Sequence, residues 1–204
     1  GDQFLSQSGI SRNSDQTFYF DARLDWKRSF GDHNLTAMAM YMMREYRSDV
    51  LPNRNQGYSG RVTYDYASKY LVEFNFGYNG SERLAAGHRF EFFPAVSAGW
   101  VASSEKFWEP ISKYINHFKI RGSYGLVGSD AFASGAPHFL YQNNIGIGSA
   151  HNFWTGLPTS EISKKGPGFY VLAVQDAGWE HVKKFDIGFD MMLFNQLNIT
   201  FDYF

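Results

Sequence analysis

The chain contains no cysteine among its 204 residues, which excludes disulfides, thiolate metal sites and cysteine nucleophiles. It contains no run of 18 or more apolar residues, so no transmembrane helix is expected. Charge of one sign is also missing. Lys and Arg number 19 against 20 Asp and Glu, a net charge of -1, which points to no nucleic-acid partner. The N-terminus, GDQFLSQSGI, lacks the basic start and apolar core of a signal peptide. It is expected either to be processed or to begin within a longer protein.

Chemistry-bearing motifs are equally scarce. The six histidines, at positions 33, 88, 117, 138, 151 and 181, show no HExxH pair and no metal-ligand spacing. His138 and His151 share one long connection and could hold a metal or haem, but nothing in their spacing requires it. GIGSAH at 146–151 begins like a phosphate loop and lacks its final glycine and its βαβ setting. GLVGSD is not a nucleophile elbow. Asp21 and Asp25 share a strand face, as paired glycosidase carboxylates would, yet Arg23 between them reads better as part of a solvated charge ladder. The chain is therefore expected to be no enzyme, with no cofactor and no metal site.

What the sequence has in excess is aromatic side chains, 19% of residues with 20 Phe and 13 Tyr, together with 20 Gly. They are arranged with a period of two. In TFYFDARLDWKRSF, 17–30, the even positions run Phe18, Phe20, Ala22, Leu24, Trp26, Arg28, Phe30, and the odd ones carry Asp21, Arg23, Asp25 and Lys27. Such alternation marks a strand with one apolar and one charged face. It recurs at 34–45 (there blurred by Met38, Met40 and Met42 on the polar side), 58–66, 70–80, 91–100, 118–126, 185–193 and 197–204, about eight strands in all. Short turns at 31–33, 67–69 and 195–196 interleave with longer links at 46–57, 80–91 and about 128–178. The link 102–116 breaks the rule, and Ser103 or Ser104 is expected to cap a short helix before Pro110. This sorting of loop lengths fits an all-β, antiparallel up-and-down transmembrane β-barrel, with short turns periplasmic and long loops outside.

Aromatics toward strand ends, such as Tyr58, Tyr66, Tyr70, Tyr78, Phe30 and Trp100, fit two interfacial girdles. The apolar face is then expected to meet lipid. Arg28 on that face sits beside a turn, where its cost falls to roughly 0–1 kcal/mol. The opposite face is expected to line a lumen with Asp21, Arg23, Asp25, Arg61, Asp65, Glu73, Lys119, Arg121, Asp186 and Asp190, joined by Lys27 and Lys184. A complete eight-stranded outer-membrane barrel with a structural or adhesive role, and a secreted carbohydrate-binding β-sandwich, remain the alternatives.

Four stretches carry a family resemblance: GYSGRVTYDYASKYLVEFNFGYNGSERL, HRFEFFPAVSAGWVASSEKFW, HFKIRGSYGLVGSD, and, farther on, GWEHVKKFDIGFDMMLFNQLNITFDYF. Together, over 57–128 and 178–204, they closely resemble the barrel of SusC/RagA-like TonB-dependent outer-membrane transporters. The resemblance implies a barrel of roughly 22 strands, of which residues 1–204 would be about eight, an internal section of wall. It implies an outer-membrane location in a Gram-negative bacterium and import of an oligomeric nutrient, glycan or peptide. The expected partners are a SusD-like surface lipoprotein lid and TonB, reached through a plug domain not present in this chain. In the long extracellular loop of about 128–178, Tyr141, Asn143, Asn144, Phe153 and Trp154 are the candidate substrate contacts.

Overall fold

In the computed structural model, residues 14–47, 52–131, 139–146, 152–156 and 162–204 are described. The principal strands are β1 (Gln16–Phe30), β2 (His33–Arg47), β3 (Asn53–Tyr66), β4 (Tyr70–Ser81), β5 (Phe90–Val101) and β6 (Ile115–Ser129). The connection that follows carries four short strands, β7 (Asn144–Gly146), β8 (Asn152–Thr155), β9 (Ile162–Lys165) and β10 (Gly168–Val171). β11 (Glu180–Leu193) and β12 (Leu197–Tyr203) complete the chain. One eight-stranded sheet has the order β1-β2-β3-β4-β5-β6-β11-β12. Every pair within it is antiparallel, so the eight expected strands form an up-and-down meander.

Register decides that all eight share one apolar face. Ala22 pairs with Tyr41, Tyr41 with Tyr58, Tyr58 with Tyr78 and Tyr78 with Phe92. Farther along, Val96 pairs with Tyr124, Tyr124 with Phe185 and Phe189 with Phe201. A slip of one residue anywhere would send these rings to the other side. Where two rings would crowd, glycine stands opposite one of them. Gly60 pairs with Phe76, whose ring lies over the space a Cβ would fill, and Gly80 is covered in the same way by Phe90.

No second layer covers this face among the described residues. Leu24 is 72% exposed and Phe74 41%. Among the described residues the buried apolar ones are few: Leu84, Ala85, Phe93, Val101 and Ala102. Phe93 lies where the β5–β6 ladder has ended at Ala95–Gly125, with its ring on Gly128 and edge-on to Trp179 at 5.4 Å. A sandwich would have buried the rings against a partner sheet; among the described residues the remaining sheets are two two-stranded pairs, β7 with β10 and β8 with β9.

Two of the short turns share an uncommon backbone. At Ala67-Ser68 and Phe194-Asn195 both central residues have positive φ, 50° and 56°, then 53° and 53°. That backbone matches the twist of paired strands, although glycine usually supplies it. Neighbouring turns hold these conformations: Ala67 N donates to Asp32 O (2.7 Å), and Phe194 N donates to Tyr114 O (3.0 Å). Val101 N likewise donates to Lys69 O (2.8 Å). The expected serine-capped helix is replaced by two 3₁₀ turns, Ala102–Ser104 and Lys106–Trp108, whose first flanking residues are Val101 and Glu105. Neither turn has a side-chain cap. The Ser103 hydroxyl instead lies 3.5 Å from His117 Nδ1. Glu105 draws the link toward the neighbouring turn, accepting from Tyr70 OH (2.9 Å) and Lys69 Nζ (3.1 Å).

Those two bonds, Tyr70 first, hold the Glu105 carboxyl below its ordinary value. A lowered folded-state value means that the stability Glu105 contributes is complete above pH 4.5, its ordinary value. The contribution fades as pH falls through the lowered one. Acid titration of the melting temperature is expected to show this loss in the native protein, and Glu105→Gln is expected to flatten it. Identical acid profiles would remove Glu105 from the account.

Candidate functional site

The charged face is built by the same alternation that builds the aromatic one. Asp21, Arg23, Asp25, Arg61, Asp65, Glu73, Lys119, Arg121, Asp186 and Asp190 all share it through the register: Asp25 opposes Met38, Met38 opposes Arg61, Thr63 opposes Glu73, and Lys119 opposes Asp190. Arg23, Asp25 and Arg61 line a hollow of about 400 Å³. Glu73, Lys119, Arg121 and Asp186 line another of about 390 Å³.

Within this face the charges are mostly answered by neighbours. Arg23 donates to Asp25 at 2.7 Å. Glu73 accepts from Thr63 (3.2 Å) and Asn75 (2.7 Å), with Arg61 Nε 3.7 Å away. Arg121 donates to both carboxylate oxygens of Asp202, at 2.7 and 2.9 Å, and lies 3.4 Å from Asp190. Asp202 was not among the residues expected here. The alternation Asn198, Thr200, Asp202 in β12 could have found it, but the Arg121 partnership spans three strands and needs the register. Partly exposed pairs of this kind contribute little stability singly; their effect is a wettable wall of mixed sign.

The aromatic face shows two bands. Tyr58 and Tyr66 on β3, and Tyr70 and Tyr78 on β4, stand eight positions apart, roughly 27 Å along a strand. A barrel tilt of about 35–45° brings that to about 20 Å, near the height of a lipid-facing belt. Between the bands lie Val62, Val72, Phe74 and Val96, all exposed.

The loop residues fall into two groups. Tyr141 and Asn143 brace the loop: the Tyr141 hydroxyl accepts from Arg89 (3.4 Å), its carbonyl accepts from Gln175 (2.9 Å), and Asn143 Oδ1 accepts from Ala173 N (2.8 Å). Asn144 opens β7, opposite Val171. Phe153 and Trp154 lie on the separate β8–β9 hairpin, and Trp154 is 63% exposed. His138, His151 and most of GIGSAH lie outside the described residues.

No family model matches the chain. It is 28% identical over 163 residues to TonB-dependent receptor P39 of Formosa agariphila, covering 79% of this chain and 14% of that protein. It is 30% identical over 146 residues to TonB-dependent receptor P3 of the same organism, covering 71% and 13%. The chain thus spans about one seventh of the length of the curated relatives it matches. Among solved structures it resembles that of the RagAB peptide transporter, with a TM-score of 0.72 at 17% identity, over 92% of this chain and 23% of that one. At that identity the likeness is one of fold. The open form of the RagAB peptide importer matches over the same shares with a TM-score of 0.69. By sequence the chain is similar to a segment of TonB-dependent receptors, and its antiparallel sheet has the fold of a section of the RagAB transporter.

Proposed function

We propose that the chain forms part of the wall and exterior loops of a Gram-negative outer-membrane barrel that imports an oligomeric nutrient, glycan or peptide, driven by TonB. The observation that carries this reading is the pair of continuous faces: exposed rings on one side of all eight strands, an ionic wall on the other. Lipid covers the first and a hydrated passage meets the second. Segregation of this kind has no use in a single-layer soluble sheet, whose rings would aggregate.

The free edges support a larger barrel over a complete eight-stranded one. β1 and β12 end the sheet and do not pair with each other. Hydrocarbon offers no partner for their outward N–H and C=O groups, so strands from the rest of the protein close the ring. The plug and the TonB-binding region belong to that remainder.

In this reading the 128–178 loop faces the exterior beneath a SusD-like lipoprotein lid. Phe153 and Trp154 offer stacking platforms, Asn144 offers an amide, and Tyr141 and Asn143 set the loop's shape. In the full-length protein, Trp154→Ala is expected to weaken ligand binding about tenfold, about 1.4 kcal/mol, with assembly unchanged. Calorimetric titration with candidate glycans and peptides checks it. Unchanged affinity for every ligand that binds would remove this hairpin from the site.

A further inference from the structure

At the long-loop end of the aromatic face, the alternation continues past the ring band into charge. On β2 the sequence of that face is Tyr41, Met43, Glu45, Arg47; on β3 it is Tyr58, Gln56, Arg54. Glu45 pairs with Arg54 across the ladder and holds both arginines, at 2.9 Å to Arg54 Nε and 3.0 Å to Arg47. The two arginine side chains remain half-exposed, 55% and 50% for Arg54 and Arg47. Beside them is a hollow of about 310 Å³, with Met43 and Phe90 on its apolar wall and Arg54, Gln56 and Arg89 on its polar wall. Arg89 there donates to two neutral oxygens, Leu84 O (3.1 Å) and Tyr141 OH (3.4 Å). Around this hollow Arg44, Arg54 and Arg89 outnumber the carboxylates of Glu45 and Glu82, and Arg47 stands beside it, held by Glu45.

We propose that this rim binds the phosphate-bearing headgroup of an anionic membrane lipid, with Arg47 and Arg54 as the phosphate ligands. The site goes beyond transport and rests on the outward facing of the rings. Its place is the one a headgroup occupies, one step beyond the aromatic band and on the same side. Planar guanidinium forks match phosphate oxygens. The hollow's Met43 and Phe90 continue the belt on which acyl chains lie, so one ligand touches both walls.

The test uses the full-length protein in neutral detergent, with micelles doped with phosphatidylglycerol or with phosphatidylcholine, and native mass spectrometry to count retained lipid. Phosphatidylglycerol is expected to be retained at least tenfold better. Arg47→Gln with Arg54→Gln is expected to abolish the preference, while Glu45→Gln, which removes the opposing carboxylate, strengthens it. Equal retention of the two lipids, or a preference untouched by either change, overturns the proposal. Displacement by inorganic phosphate alone reassigns the site to a soluble anion and overturns it as well. Heat-modifiable migration of each variant reports the barrel separately: a protein that folds without detergent defeats the membrane reading, whereas an intact barrel without lipid preference defeats only this site.

Discussion

Phe74→Arg is expected to block assembly of the barrel in the outer membrane, whereas Glu73→Gln is expected to leave it intact. The two residues are adjacent in β4 and face opposite ways. Phe74 lies between Val62 of β3 and Val96 of β5, in the middle of the aromatic face. An arginine at the bilayer midplane costs about 2–4 kcal/mol on the lipid side of a barrel, and from this position water is half the height of the belt away in either direction. Glu73 stands on the ionic face, where Thr63 and Asn75 donate to it. Glutamine keeps an oxygen for one donor and gives up only a partly exposed pairing with Arg61 at 3.7 Å, the kind of contact that contributes about 0–1 kcal/mol. Membrane fractionation with heat-modifiable migration measures both. Equal tolerance of the two substitutions would reverse the facing on which the transporter reading stands.

The second large effect is expected at Gly188, in β11. It is buried in the ladder between Arg121 of β6 and Asp202 of β12. Having no side chain, it lets Arg121 reach across β11 to the Asp202 carboxylate. A Cβ at Gly188 would lie 2.5 Å from the Phe201 carbonyl oxygen and would overlap the Asp202 carboxylate. Backbone cannot swing aside as a ring end can. Gly188→Val is therefore expected to destabilise the wall by about 1–3 kcal/mol, the usual range for overpacking, and to detach Asp202 from Arg121. Gly178, where a Cβ meets nothing within 4 Å, is the control: Gly178→Ala is expected to be neutral. Urea unfolding in micelles resolves the difference. Equal midpoints for both variants would show that β12 yields to a side chain at this point.

Much of this architecture was legible in the sequence because a period of two is local. The strand at 17–30 was readable to within one residue, since its faces differ sharply in polarity. In β2 the contrast failed at Met38, Met40 and Met42, but neighbouring strands fix the facing, with Arg61 opposite Met38. The start of β3 was missed by five residues, 53 instead of 58, because Asn53–Gly57 is polar throughout and takes its place from pairing, with Met42–Tyr46 on one side and, from Asn55, with Asn79–Ser81 on the other. The four short loop strands carry too few alternations to stand out from their surroundings. Ser103 and Ser104 have capping chemistry, yet the link is shaped by Glu105 reaching a turn 36 positions away. Of the charged face, each side chain's direction followed from parity, whereas which carboxylate Arg121 takes depends on strand order. The glycines were visible only as an excess, because Gly60 and Gly188 have their meaning across the ladder.

The bonds linking successive tight turns bear on how such a wall could grow. Asp32 offers its carbonyl to the hairpin that follows, Lys69 offers one to the strand beyond the next, and Tyr114 offers one to the last turn. Hairpins delivered in chain order would each meet a landing point already set by its predecessor, so that margin can zip from one side like a seam. The opposite margin, where the connections are long, would close last.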